Sequence, residues 1–351
     1  MKSDPKISIV CPLYNKIGYI AKTIESVLCQ VDNNWELIIV DDGSSDGSYE
    51  AALDHSQRDP RIKLIKRSEL RSDVRGANIC RNIGVQLATG EYIVFLDADD
   101  LLKDYCIKQR IEYINRFPEY NLYVFNVAYC KGEEAIPYAK LKPSAYDYVS
   151  YIFTRNKRKY YLKKFLKFDL PWHTSGPVWR KEFLEKIGGF DLTLQRLQDP
   201  AIHSKALLDR SVQIKCLMYE SSYDMLHRKD EDRVVWSKEE FFKKQLGAIR
   251  MYIQTFVPLV EAGGAERYLY LLQGYLLEAE KLVYRHRREG NVSASVMQEL
   301  NSLYEMVEYR KISTLKYRVF RNIFSNVCNS SYGMRAKIPG ILFYFYKKTM
   351  W

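Results

Sequence analysis

The stretch YIVFLDADDLL, residues 92–102, decides how the chain is read. A run of strand-type apolar residues ends in Asp97, Asp99 and Asp100, three carboxylates within four positions. Like charges this close repel, so something must relieve them. One answer is solvation at a strand end, ahead of a helix whose first turn favours acids. The other is a divalent cation, which takes oxygen ligands and neutralises the repulsion. Taken alone, the stretch leaves both answers open.

The pattern on either side narrows the choice. KISIVCPLY (6–14) has the composition of a short strand ending in polar, turn-forming residues. KIGYIAKTIESVLCQ (16–30) places Ile17, Ile20, Ile24, Val27 and Leu28 on one helical face. A buried strand, Leu37 to Val40, runs into Asp41, Asp42 and Gly43 and then into a loop able to cap a helix. RIKLIKR (61–67) predicts a third strand, and GANICRNIGVQLATG (76–90) a helix closed by Gly90. EYIVFL is the fourth strand and LYVFNVAYC (122–130) the fifth. This alternation predicts an α/β fold with parallel crossovers and helices on both sheet faces. In such sheets ligands gather beyond the carboxyl ends of the strands. Three of those ends carry Tyr14 with Asn15, Asp41 with Asp42, and the acidic cluster. Three polar ends meeting on one edge are hard to explain as independent turns.

Composition sets the outer bounds. The 351 residues are 47% hydrophobic and 28% charged, as expected of a well-cored globular protein. Seven cysteines without a C-x-x-C pair give neither a disulfide framework nor a zinc site. The first residues run straight into a strand, so no signal peptide is expected. ILFYFY near the C-terminus is far shorter than the roughly 20 residues of a spanning helix. The expectation is a cytoplasmic protein. The net charge of +11 is uneven. Residues 310–351 hold no acid, and RNKRKYYLKKFLKF (155–168) mixes bases with aromatics. Such segments suit nucleic acid, an anionic membrane or a phosphorylated substrate. No nucleic-acid motif is present, and nucleic acid is not expected as a partner. Beyond Ser237 the pattern turns helical. The expected division is an α/β unit at 1–235, its halves meeting near 130, and a helical region at 236–351.

Taken in order, ISIVCPLYNK, ELIIVDDGSSDGS, GANICRNIG, GEYIVFLDADD and IGGFD…LQD resemble glycosyltransferase family 2 over about residues 6–230. The resemblance implies a GT-A fold and inverting sugar transfer from a nucleotide-sugar, UDP in the first instance, to a glycan or lipid-linked acceptor in surface polysaccharide synthesis. The base needs an apolar or aromatic wall, for which Pro12 and Tyr14 are the candidates, with Asn15 beside them as a nucleotide-binding residue; the resemblance implies that Asp42 accepts the uracil N3–H, with Asp41 in support or on the ribose. Arg81 would pair with the aspartates or with phosphate. Asp97 would reach the ribose, and Asp99 would hold Mg²⁺ or Mn²⁺ against the diphosphate, with His227 as a further metal ligand or phosphate contact. Asp199 would be the general base, preceded by Gln198 where the family more often has Glu; its alternative role is N-cap of a helix with Pro200 at the first helical position. Trp172 and His173 would line the acceptor pocket, with core burial the alternative for Trp172. A non-catalytic relative and a metal-dependent nucleotidyltransferase are the competing readings, but PLYNKIGY offers no glycine-rich phosphate loop. The tail MRAKIPGILFYFYKKTMW (334–351) either packs on the helical region or lies on the inner face of an anionic membrane.

Overall fold

The computed structural model describes residues 4–70, 74–131, 136–140, 149, 151–229, 238–287 and 292–309. The tail and the whole of residues 310–351 lie outside them. The chain divides into two compact units, Met1–Tyr160 with Pro171–Arg233, and Tyr161–Leu170 with Val234–Trp351.

The first unit is built on a seven-stranded sheet. In chain order the strands are β1 (Ile7–Leu13), β2 (Trp35–Asp41), β3 (Ile62–Lys66) and β4 (Tyr92–Phe95), joined at one side by β6 (Leu122–Val124), β9 (Pro177–Arg180) and β10 (Ile214–Cys216). Their spatial order is β10-β6-β9-β4-β1-β2-β3. β4, β1, β2 and β3 are mutually parallel, while β9 runs antiparallel between β4 and β6. Strands β1, β2 and β4 are almost wholly buried, which their near-continuous apolar runs require. Helices Ile20–Leu28, Ser48–Arg58 and Ala77–Leu87 make the crossovers.

A second sheet, in the order β5-β11-β7-β8, joins β5 (Leu101–Leu102), β11 (Tyr223–Arg228), β7 (Asn126–Lys131) and β8 (Ile136–Lys140). LYVFNVAYC therefore forms two strands, broken at Phe125 and assigned to different sheets. No periodicity marks that break, because both halves are buried. The fully buried ion pair Arg110–Asp224 ties helix Cys106–Arg116 to β11, with Nε and Nη2 each 2.8 Å from a carboxylate oxygen.

Three expectations are corrected. The first crossover helix starts at Ile20, not residue 16, and Ile17 is 49% exposed. Gly90 is no helix cap, since its helix ends at Leu87 with Ala88 as C-cap. A Cβ at Gly90 would lie 2.6 Å from the Lys6 carbonyl oxygen, so the residue lets the chain pass against β1. Pro200 is the third residue of its helix, Gln198–Leu208, whose N-cap is Leu197 at φ 60°. Proline is tolerated there because the first-turn N–H groups have no intrahelical partner.

The second unit holds helices Lys238–Ala262, Gln273–Arg287 and Ala294–Tyr309. Tyr252 stacks on Phe256 and Tyr275 with centroids 4.3 and 4.2 Å apart, and the Tyr275 hydroxyl donates to the Phe165 carbonyl at 3.0 Å. Apolar residues of the 155–168 cluster are thus core: Tyr161, Phe165 and Leu166 are no more than 1% exposed. Lys164 and Lys167 are buried beside Asp169. Among the described residues no helix is long and apolar enough to cross a membrane.

Candidate active site

The parallel register brings Leu13 of β1 opposite Asp41 of β2, and Val10 opposite Phe95 of β4. The segments following these strands therefore open on one edge. There they enclose a cavity of about 220 Å³. Pro12, Tyr14 and Lys16 line it from β1, Asp42 from β2, and Asp97, Ala98 and Asp99 from β4. Helix Ala77–Leu87 closes it with Ala77, Cys80 and Arg81.

Each acidic residue of the opening stretch has its own partner. Asp97 accepts from Arg81 Nη2 at 2.6 Å, and Asp99 pairs with Lys16. Asp100, fully buried, accepts the backbone N–H of Arg228 at 2.9 Å and faces His227 Nδ1 at 3.0 Å. The loop itself is held by Thr23, whose hydroxyl lies 3.0 Å from the Ala98 carbonyl and 2.9 Å from that of Asp100. Burial would raise the Asp97 carboxyl, but Arg81 and the two histidines His173 and His227 hold it below the usual carboxylate range. Burial would likewise lower Arg81, yet the charges of Asp97 and Asp199 keep it above its ordinary value.

The second strand end is divided between two tasks. Asp41 holds the turn, accepting N–H groups from Gly43 at 3.0 Å and Ser44 at 3.1 Å. This is a local role, and Asp41 does not line the cavity. Asp42 does line it, with Arg67 on one oxygen and the Gly76 N–H on the other at 2.8 Å. Asn15, at φ 47°, bridges the strand ends by accepting from the Ser45 N–H at 2.9 Å. Tyr14 is 55% exposed and offers a ring face at the rim.

β11 and the segment before β9 add two histidines. His227 lies on β11, its ring 4.1 Å from that of His173 and 5.7 Å from that of Tyr129. Burial would lower His227, but the hydrogen bond and charge of Asp100, reinforced by Asp97 and Asp99, raise it. His173 Nδ1 lies 3.3 Å from the Ser175 N–H and 3.1 Å from the Ser175 hydroxyl. Donor atoms of Asp100, His173 and His227 lie within 4.8 Å of one another. Carboxylate oxygens with imidazole nitrogen are a donor set that suits Mn²⁺, and the carboxylates suit Mg²⁺. The residues present therefore fit a divalent ion, with Asp99 on the cavity wall and the histidines grouped around its neighbour Asp100.

Asp199 lies in the first turn of helix Gln198–Leu208. It is not the N-cap, so that alternative role is corrected. Gln198 donates to the Gln195 carbonyl at 3.1 Å. Trp172 is 4% exposed, and its ring meets that of His203 at 73°. Its burial leaves little ring surface for a sugar. His203, one turn after Asp199, stacks on Trp179 at 5.6 Å and is driven down to about 3 by burial. Lys16, Arg67 and Asp100 were not assigned roles from sequence. Lys16 and Asp100 adjoin assigned residues, whereas Arg67 reaches Asp42 from a helix that no motif marks.

An uncharacterized glycosyltransferase of Rickettsia conorii is 38% identical over 124 residues, covering 35% of this chain but 19% of that protein. TuaG of Bacillus subtilis, named for teichuronic acid biosynthesis, is 36% identical over 110 residues, 31% of this chain and 42% of its own. The matched region is thus well under half of these relatives. Among solved structures, Staphylococcus aureus TarS 1–349 in complex with UDP-GlcNAc superposes with a TM-score of 0.58 at 17% identity, covering 85% of this chain and 79% of that one. The mannosyltransferase PcManGT of Pyrobaculum calidifontis, in complex with GDP-Man and Mn²⁺, gives 0.50 at 14% identity, covering 99% and 88%. These likenesses show the fold expected from the sequence, GT-A with a helical extension. The family model described as glycosyl transferase family 2 matches residues 8–187, just over half of the chain, and the chain belongs to that family.

Proposed function

We propose that the chain transfers a sugar, with inversion, from a nucleotide diphosphate sugar to a glycan or lipid-linked acceptor in surface polysaccharide synthesis. The observation that carries this reading is the single cavity that gathers Tyr14, Asp42, Arg81, Asp97 and Asp99 from three strand ends and one helix. UDP is the expected nucleotide, lying against Pro12 and Tyr14, with a free lone pair of Asp42 accepting N3–H and Asp97 turned to the ribose. Arg81 keeps Asp97 ionised and fixed. Asp99 would hold Mg²⁺ or Mn²⁺, with His227 as the nitrogen ligand that Asp100 orients through Nδ1. When bound, the ion supplies Lewis-acid stabilisation of the departing diphosphate. Asp199 then removes the acceptor hydroxyl's proton as the anomeric carbon opens to attack. His173 and Gln198 would orient the acceptor, with Trp172 as a buried wall behind them.

A thermal-shift panel of nucleotide-sugars with Mn²⁺ tests the reading, because a ligand that binds only the folded chain raises its melting temperature. Stabilisation by UDP or a UDP-sugar, abolished by chelator, is the expected result. No stabilisation by any nucleotide diphosphate would overturn it.

A further inference from the structure

Among the described residues, Lys16 is the basic side chain on the cavity wall that the reading above leaves without a task. Arg81, the other base there, is 6% exposed and committed to Asp97. Lys16 is different. Its side chain is 36% exposed, and its ammonium pairs with Asp99, itself 25% exposed. Its backbone is fixed, because the Lys16 N–H donates to Ser48 Oγ at 2.7 Å. The ammonium also lies 5.5 Å from the Tyr19 ring, close enough for a weak cation–π contact along the same wall. A lysine side chain anchored at its backbone but partly exposed at its head can change partners without moving the chain.

We infer that Lys16 is a donor-binding residue that exchanges partners, leaving Asp99 for the diphosphate oxygens as a divalent cation takes Asp99. The inference rests on the proposed metal role of Asp99. A carboxylate oxygen paired with an ammonium cannot also ligate a metal at full strength, so the two cations compete for one group. The same cavity must accept a diphosphate, whose charge one divalent ion does not fully balance. The released ammonium lies within side-chain reach of that charge. Lysine suits this better than arginine, since its compact, strongly hydrated head makes no fixed bidentate pair. Metal and donor then bind as a linked set: the donor's phosphates provide the site to which Lys16 moves.

Opposite changes in two affinities test the exchange. In Lys16→Met, Mn²⁺ alone, titrated by its electron paramagnetic resonance signal, should bind roughly two- to fivefold tighter, the scale of a partly exposed ion pair removed. UDP with saturating Mn²⁺, followed by calorimetry, should bind at least about tenfold weaker, the scale of a lost charged hydrogen bond. Lys16→Arg should keep UDP affinity closer to the parent than Lys16→Met does. A residue with only a structural role would weaken both ligands together, and that outcome overturns the inference, as does unchanged binding of either ligand in Lys16→Met. Asp99→Asn separates the two levels. If it binds Mn²⁺ as the parent does, the metal assignment falls and the exchange with it. If it loses Mn²⁺ while Lys16→Met changes nothing, the exchange alone falls.

Discussion

Asp199 is placed by the first turn of its helix, and its role is tested apart from donor binding. It sits in the first turn behind a left-handed Leu197, and its charge reaches Arg81 and His203. Asp199→Asn should lower turnover roughly 10²–10⁴-fold, the usual worth of a general base, with UDP affinity little changed. Near-parental turnover would place the base elsewhere. His227 gives a second residue-scale test. Its folded value is raised, so its pairing with Asp100 adds stability that is full below the unfolded value of about 6.5 and is lost as pH rises through the folded one. A metal ligand must shed that same proton. Mn²⁺ affinity should therefore rise with pH through a midpoint above the ordinary histidine value, and His227→Gln should flatten the profile. At this scale the sequence was informative about which residues line the strand-end cavity, as with Tyr14, Asp42, Arg81 and Asp97. It was not where a partner comes from far along the chain: Arg67 on Asp42, Lys16 on Asp99, and Asp100 on His227 are tertiary facts.

Elements were legible in proportion to how regular their burial is. β1, β2 and β4 are apolar throughout, and their strand signal survives any packing. The failures have local causes. Ile17 matched a helical face but precedes the helix, and the break at Phe125 has no signature because the chain is buried on both sides of it. β11 depends on a group that no pattern links to it, the buried guanidinium of Arg110. Asp224→Ala leaves that charge unpaired and should cost about 3–5 kcal/mol in urea unfolding. The double change Arg110→Met with Asp224→Leu should recover most of the loss, since well-packed apolar residues can replace a buried pair. Parental stability of Asp224→Ala would show that the pair does not hold β11 in place.

At the scale of the whole molecule, the expected boundary near 235 and the unit ending at Arg233 fall close together, but residues 161–170 group with the later helices. Sequence order hides this, since the segment lies inside the first unit's span. The basic-aromatic reading separates the same way. In 155–168 the aromatics are core, whereas the tail after residue 310 lies outside the described residues and keeps its two readings. We expect it to contact anionic lipid, each base adding on the order of 1 kcal/mol near such a surface. In liposome flotation at low salt, the full chain should float with anionic vesicles and a chain truncated after Ser330 should not. Equal recovery of both in the soluble fraction would remove the membrane reading. On the proposed function, one strand-end cavity binds a nucleotide diphosphate through a metal at Asp99. Calorimetry of UDP with Mn²⁺ tests it most directly, on the parent chain and on Asp99→Asn of equal thermal stability. UDP should bind the parent and lose that binding with chelator and in Asp99→Asn; unchanged affinity in that variant would remove the metal from Asp99.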